Sequence, residues 1–190
     1  MKKQLYLIRH GESQAQTGAI EDGVNPPLSE LGKKQARALR ERIADIEVDR
    51  VLLSPLDRAW NTYLLSEYSI DRDKVFFEKR FVESDWGIEG FYQKLVLDGL
   101  PDIAHQDSTQ NHLLPGMDRV NSLCDELLSS DVQRTMLFGH WAIISDFFKA
   151  FFGCADIHVR VNNTSITLLE VDDGSRIIQY VNDHQHIVGI

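Results

Sequence analysis

The sequence predicts an α/β protein: a three-layer, doubly wound, mostly parallel sheet with helices on both faces and a C-terminal hairpin. Three observations predict it. Short apolar runs alternate with amphipathic helical stretches through about residue 152. Three of those runs stop abruptly at a polar cluster, as buried strands do when they reach the edge of a sheet. Beyond residue 164 the helical period is replaced by two strand-like runs flanking Asp172-Asp173-Gly174, a hairpin turn sequence.

Gln4 to Ile8 is an apolar run that ends at Arg9 and reads as a buried strand. Ser29 to Ile46 carries Leu31, Ala36, Leu39, Ile43 and Ile46 on a charged background, with Ser29 as the cap of an amphipathic helix. Asp49 to Leu53 is strand-like. Ser54-Pro55 then opens a helix through about Tyr68, with Ser54 expected as N-cap and Pro55 at the first helical position. Lys74 to Phe77 is a further strand. Asp118 to Ser130 is a helix whose apolar face holds Val120, Leu123, Leu127 and Leu128. Thr135 to Phe138 is a buried strand, and Trp141 to Phe152 a helix whose four phenylalanines, at 147, 148, 151 and 152, have the spacing of core residues. Ser165 to Val171 and Arg176 to Val181 form the expected hairpin. With no repeat, low-complexity tract or linker in view, residues 1–190 are expected to form a single domain.

The chain has 190 residues, 43% of them hydrophobic and 26% charged, enough apolar material for one sizeable core. Twenty Lys+Arg against 29 Asp+Glu give a formal net charge of -9, which argues against a generally basic nucleic-acid or membrane-surface binder. That charge carries no information on oligomeric state. Cys124 and Cys154 make neither a disulfide framework nor a paired-cysteine metal knuckle. The apolar run after Met1-Lys2-Lys3 is too short for a signal peptide, and the stretch 141–152 is too short for a bilayer span and carries Ser145, Asp146 and Lys149. The expectation is a cytoplasmic protein.

The polar clusters at the strand ends are Arg9-His10-Gly11-Glu12, Ser54-Pro55-Leu56-Asp57-Arg58 and Gly139-His140. In an open α/β sheet the carboxyl ends of parallel strands share one edge, and ligands bind there. The three clusters would therefore converge on one site with two arginines, two histidines and helix starts after Ser54 and His140. Permanent guanidinium charges and helix-start amides describe an anion pocket, best matched to a phosphate.

The same residues carry a resemblance. Leu7-Ile8-Arg9-His10-Gly11-Glu12-Ser13 resembles the signature of the histidine phosphatase superfamily, the phosphoglycerate mutase-like family. The resemblance continues in order along essentially the whole chain. It takes in Asn25-Pro26-Pro27-Leu28-Ser29-Glu30-Leu31-Gly32 with Gln35-Ala36, then Ser54-Pro55-Leu56-Asp57-Arg58-Ala59 with Thr62. Glu83 followed by Trp86-Gly87 and Glu89-Gly90 is similar to the acid-donor stretch, Phe138-Gly139-His140 to the second histidine, and Asn182-Asp183 with His186 to the closing segment.

The resemblance implies a metal-independent phosphatase, without cofactor, acting on a small phosphorylated metabolite through a phosphohistidine at His10. The residue types suit that chemistry. A phosphomonoester repels anionic nucleophiles, so a neutral imidazole is a sensible attacker, and the cations Arg9 and Arg58 disfavour its protonation. Arg9, Arg58 and His140 would hold the equatorial oxygens, with Gln16 and Trp141 completing the phosphate-binding set. Glu83 would protonate the leaving oxygen and then activate water. It is preferred over its neighbours Asp85 and Glu89. Glu12 is expected to support the loop. His184 and His186, two histidines without a partner cluster, do not make a metal site, and His186 is expected to be structural.

Two departures stand out. The position six residues after the nucleophile usually holds asparagine in the family and is Gln16 here. The glutamate that many relatives carry in a Gly-Glu-Ser run is absent from Leu114-Pro115-Gly116-Met117-Asp118. The aperiodic stretch 99–115, with His105, Asp107, Asn111 and His112, is expected to border the site and set substrate choice. Three other readings fit the same residues: a phosphoglycerate mutase, whose cofactor-dependent members are typically longer; a protein phosphohistidine phosphatase, whose small members generally lack the carboxylate acid; and a non-catalytic phosphate-ligand sensor.

Overall fold

The computed structural model describes residues 2–19, 25–83, 100–106 and 116–190. Among them, one sheet of seven strands runs β4-β3-β2-β5-β1-β6-β7. In chain order the elements are β1 (Lys3–Arg9), α1 (Glu30–Ile43), β2 (Arg50–Leu53), α2 (Asp57–Leu65), β3 (Val75–Phe77), β4 (His105–Gln106), α3 (Gly116–Ser129), β5 (Arg134–Gly139), α4 (Trp141–Phe152), β6 (Ile166–Asp172) and β7 (Ser175–Asp183).

Alternation along β1 divides the core in two. Leu5 and Leu7 face one side and pack with Val120, Leu123 and Leu127 of α3 and Ile143, Phe147, Phe148 and Phe151 of α4. Tyr6 and Ile8 face the other and pack with Leu39 and Ile43 of α1 and Tyr63 of α2. The fold is therefore the expected three layers. The phenylalanines of α4 are core: Phe147, Phe148 and Phe151 are buried, and Phe152 packs against them. Each strand from β1 to β5 pairs in parallel with its neighbour among that set, while β6 runs antiparallel to β1, and β7 to β6. β5 lies between β1 and β2, so the chain crosses from β1 to β2, winds outward to β4, and returns to fill the gap. That reversal makes a crevice at the carboxyl ends of β1, β2 and β5. Arg9 is level with Gly139, and Leu53 with Phe138, which puts the three polar clusters side by side.

The Ser29 cap is as expected: its side chain accepts from the Gly32 amide. The Ser54 cap is not. The helix begins at Asp57, its N-cap is Leu56 with no side-chain cap bond, and it ends at Leu65, short of Tyr68. Ser54 instead prolongs the line of β2, its amide donating to Phe138 O at 2.9 Å. The residues 100–106 of the expected loop include β4, which pairs His105 with Phe76 and Gln106 with Phe77. No helix among the described residues is long and apolar enough to cross a membrane.

Candidate active site

Gly11 lies so close to Gly32 that a Cβ on it would sit 2.5 Å from the Gly32 carbonyl oxygen, and a Cβ on Gly32 would run into the Glu12 backbone. Only glycine at both positions lets α1 dock there. The Glu12 amide donates to Gln35 Oε1 at 2.9 Å, the Glu12 carboxylate accepts from Ser29 Oγ at 2.7 Å, and the Gly11 amide donates to Thr62 Oγ1 at 3.0 Å. Thr62 in turn donates to Arg58 O. Ser29, Gly32, Gln35 and Thr62 are thus the scaffold of the His10 loop, and Glu12 supports it.

His10 is 4% exposed and its Nδ1 lies 2.6 Å from Gly11 O. A carbonyl only accepts, so Nδ1 carries the proton and Nε2 presents its lone pair. Arg58 Nε, 3.3 Å away, donates to that lone pair. Burial, then the charge of Arg58, then that of Arg9 hold His10 well below the ordinary histidine pKa. The ring is therefore neutral near pH 7. His140 lies beside it, with ring centroids 5.1 Å apart and an interplanar angle of 57°. His140 is fully buried and likewise held well below the ordinary value, first by burial and then by Arg58, His10, Arg9 and Arg119. Its Nε2 is 2.7 Å from Ser54 Oγ, and its Nδ1 is buried without a hydrogen-bond partner among the described residues.

Arg9 donates from Nη1 to Val161 O at 2.7 Å, while its buried Nε has no partner among the described residues. Burial lowers its pKa and the charge of Glu83 opposes that shift, so the carboxylate lies within electrostatic reach of Arg9. Glu83 Oε1 accepts from the Ile143 amide at 3.2 Å, in the first turn of α4 where a carboxylate meets the positive end of the helix. The helix that begins after His140 thus also tethers Glu83. Asp85, Trp86-Gly87 and Glu89-Gly90 lie outside the described residues, as do Asp107, Asn111, His112 and Leu114-Pro115.

Arg9, His10, Arg58, Glu83 and His140 are brought together as expected. Gln16 and Trp141 hydrogen-bond to residues outside that set. Gln16 Oε1 accepts from the Ser13 amide at 3.0 Å, and its Nε2 donates to Asn163 Oδ1 at 3.2 Å. The Trp141 indole N–H donates to Val159 O at 2.8 Å, and the residue is 46% exposed. His186 lies 3.1 Å from the Thr164 hydroxyl through Nε2, and His184 2.6 Å from Asn182 O through Nδ1.

Two residues of the site escape sequence reasoning. Asn163 Nδ2 donates to His10 O at 3.0 Å and so braces the His10 loop from the segment before β6. Arg119, buried in the first turn of α3, donates to Glu83 O at 3.2 Å. Neither carries a local signal: Asn163 sits in an aperiodic turn, and Arg119 reads as one charge on an amphipathic helix.

The sequence profile of the histidine phosphatase superfamily (branch 1) matches residues 5–184. The chain belongs to this superfamily. Among histidine phosphatase relatives, the protein named "Putative phosphoserine phosphatase 2" of Hydrogenobacter thermophilus is 25% identical over 97% of both chains. "Probable phosphoglycerate mutase GpmB" of Salmonella choleraesuis is 24% identical over 90% of this chain and 86% of its own. The crystal structure of an Entamoeba histolytica phosphoserine phosphatase mutant in complex with phosphoserine shares the fold, with a TM-score of 0.70 at 20% identity, covering 97% of this chain and 99% of that one. Relatives named as phosphatases and as mutases thus both fall among the proteins this chain resembles.

Proposed function

We propose that the protein is a phosphoric monoester hydrolase that transfers a phosphoryl group from a small metabolite to His10 and then to water. The observation that carries this reading is the state of His10: a neutral ring whose Nδ1–H is bound to Gly11 O and whose Nε2 lone pair faces Arg58. Nε2 attacks phosphorus and the P–O bond to the leaving group breaks. Arg9, Arg58 and His140 stabilise the charge spread over the equatorial oxygens, and Glu83 gives its proton to the leaving oxygen. Glu83 then takes a proton from water as that water displaces His10 from phosphorus. The guanidiniums supply the charge stabilisation, so the reaction is expected to proceed with a chelator present. Phosphate binding would displace Arg58 Nε from His10 Nε2 and redirect it to a phosphate oxygen.

The similarity to a protein named as a probable mutase favours a second reading, in which phosphohistidine returns its phosphoryl group to bound product. One experiment separates the two. An aryl phosphate is assayed with EDTA, followed by 3-phosphoglycerate with 2,3-bisphosphoglycerate. Hydrolysis that survives chelation and disappears in His10→Ala supports the hydrolase. Interconversion of phosphoglycerates without phosphate release supports the mutase. Hydrolysis that persists in His10→Ala overturns both.

A further inference from the structure

Ser54 is fully buried and, contrary to its Ser-Pro context, caps no helix. Among the described residues its hydroxyl has two hydrogen-bond partners: it accepts from the Leu56 amide at 3.4 Å and lies 2.7 Å from His140 Nε2. An amide can only donate, so the Leu56 bond occupies a lone pair of Oγ and leaves its proton to be placed. Among the described residues the acceptor available to that proton is His140 Nε2. In the opposite arrangement, with the proton on Nε2, Ser54 Oγ would accept twice and its own proton would be buried without an acceptor. His140 Nδ1 is buried without a partner among the described residues in either arrangement, so the choice rests on the Ser54 proton.

We propose that Ser54 is a positioning residue that fixes His140 as the Nδ1–H tautomer, so that this buried N–H is a donor aimed at the phosphoryl group. The inference rests on the hydrolase reading for its purpose, but the tautomer is a property of the unliganded protein. It matters because an anion needs a donor: the Nε2–H tautomer would offer the phosphate oxygens a lone pair instead. Neutrality makes the choice consequential, since an imidazolium would donate from both nitrogens and need no such control. Burial first, and then the neighbouring guanidiniums, favour the neutral form of His140. The chain of bonds Leu56 N–H to Ser54 O–H to His140 Nε2 also joins the residues between β2 and α2 to the end of β5, so one hydroxyl couples two of the three strand-end clusters.

The test is nitrogen NMR of the full chain with 15N-labelled histidine, His140 being assigned by its absence in His140→Gln. The expected spectrum of the native protein is the Nδ1–H pattern at His140. Ser54→Ala is expected to admit the Nε2–H form and to lower kcat on an aryl phosphate about tenfold to a hundredfold, within the loss seen when one transition-state donor is removed. Ser54→Thr, which keeps the hydroxyl, is expected to restore the native pattern and most of the rate. An Nε2–H pattern in the native protein overturns the proposal without any variant needing to fold. An unchanged pattern in Ser54→Ala, or a changed pattern with unchanged kcat, overturns it as well. A His10→Ala protein that still hydrolyses the aryl phosphate would remove the hydrolase reading and leave the tautomer measurement standing, so the two failures are distinguishable.

Discussion

Replacing Arg58 by methionine is the sharpest perturbation of the site. The side chain is 7% exposed, its Nε is 3.3 Å from His10 Nε2, and its charge is the second cause, after burial, that lowers the pKa of both His10 and His140. Water does not replace a buried donor well, so the loss should match that of one preorganised oxyanion donor: about 10²–10³ in kcat, or about 2.7–4 kcal/mol. Methionine keeps the apolar bulk, and the fold should therefore survive. Two assays report on the same change. Steady-state hydrolysis of an aryl phosphate gives kcat, and proton NMR of the His10 ring follows its titration. The His10 pKa should rise in Arg58→Met because the repelling charge is gone. Arg58→Lys should restore the titration better than the rate, since an ammonium reproduces the charge but not the planar fork of donors. A kcat within threefold of native, together with an unmoved His10 titration, would refute the argument that this guanidinium organises the site.

Glu83→Gln should leave the first turnover of a nitrophenyl phosphate nearly intact, because that leaving group needs no proton. Water attack should slow by about 10²–10⁴, so a stoichiometric burst of nitrophenolate should precede a slow steady state in stopped-flow traces. Gly32→Ala should lower stability by about 1–3 kcal/mol in urea denaturation and reduce activity, because its Cβ meets the Glu12 backbone and pushes α1 off the His10 loop. Acid should destabilise the protein through His10 and His140. Both are held neutral below the pKa of about 6.5 that they have when unfolded, so below that pH the unfolded chain binds protons the native state refuses. Stability contributed this way is full above about pH 6.5 and falls as pH drops, by at most about 1.4 kcal/mol per pH unit per histidine. The paired variant His10→Gln/His140→Gln should flatten that limb in denaturation curves taken between pH 5 and 7.

The layers of the fold were legible because burial on both faces leaves near-continuous apolar runs such as Leu5 to Ile8 and Met136 to Phe138, and because each run stops at a charged or histidine-bearing cluster. The convergence of Arg9, His10, Arg58 and His140 follows from parallel strands sharing an edge, a rule that needs only the order of elements. What the sequence concealed was made by long-range pairing. β4 has no periodicity of its own and exists because His105 and Gln106 pair with Phe76 and Phe77. Ser54 has the context of a helix cap, yet the ladder bond of its amide to Phe138 O and the nearby His140 ring draw it into the site. Gln16 departs from the family's asparagine, and its amide is taken by Ser13 and Asn163. Asn163 itself belongs to a turn whose closeness to His10 depends on β6 docking against β1.

The central claim is that phosphorus is bonded to His10 during turnover. Rapid quenching of the enzyme with labelled substrate, followed by digestion and mass spectrometry, tests it most directly. The account predicts acid-labile, base-stable phosphate on His10 that appears and decays at rates compatible with kcat, and none in His10→Ala. Turnover without a phosphorylated enzyme, or with the phosphate on any other residue, would contradict it.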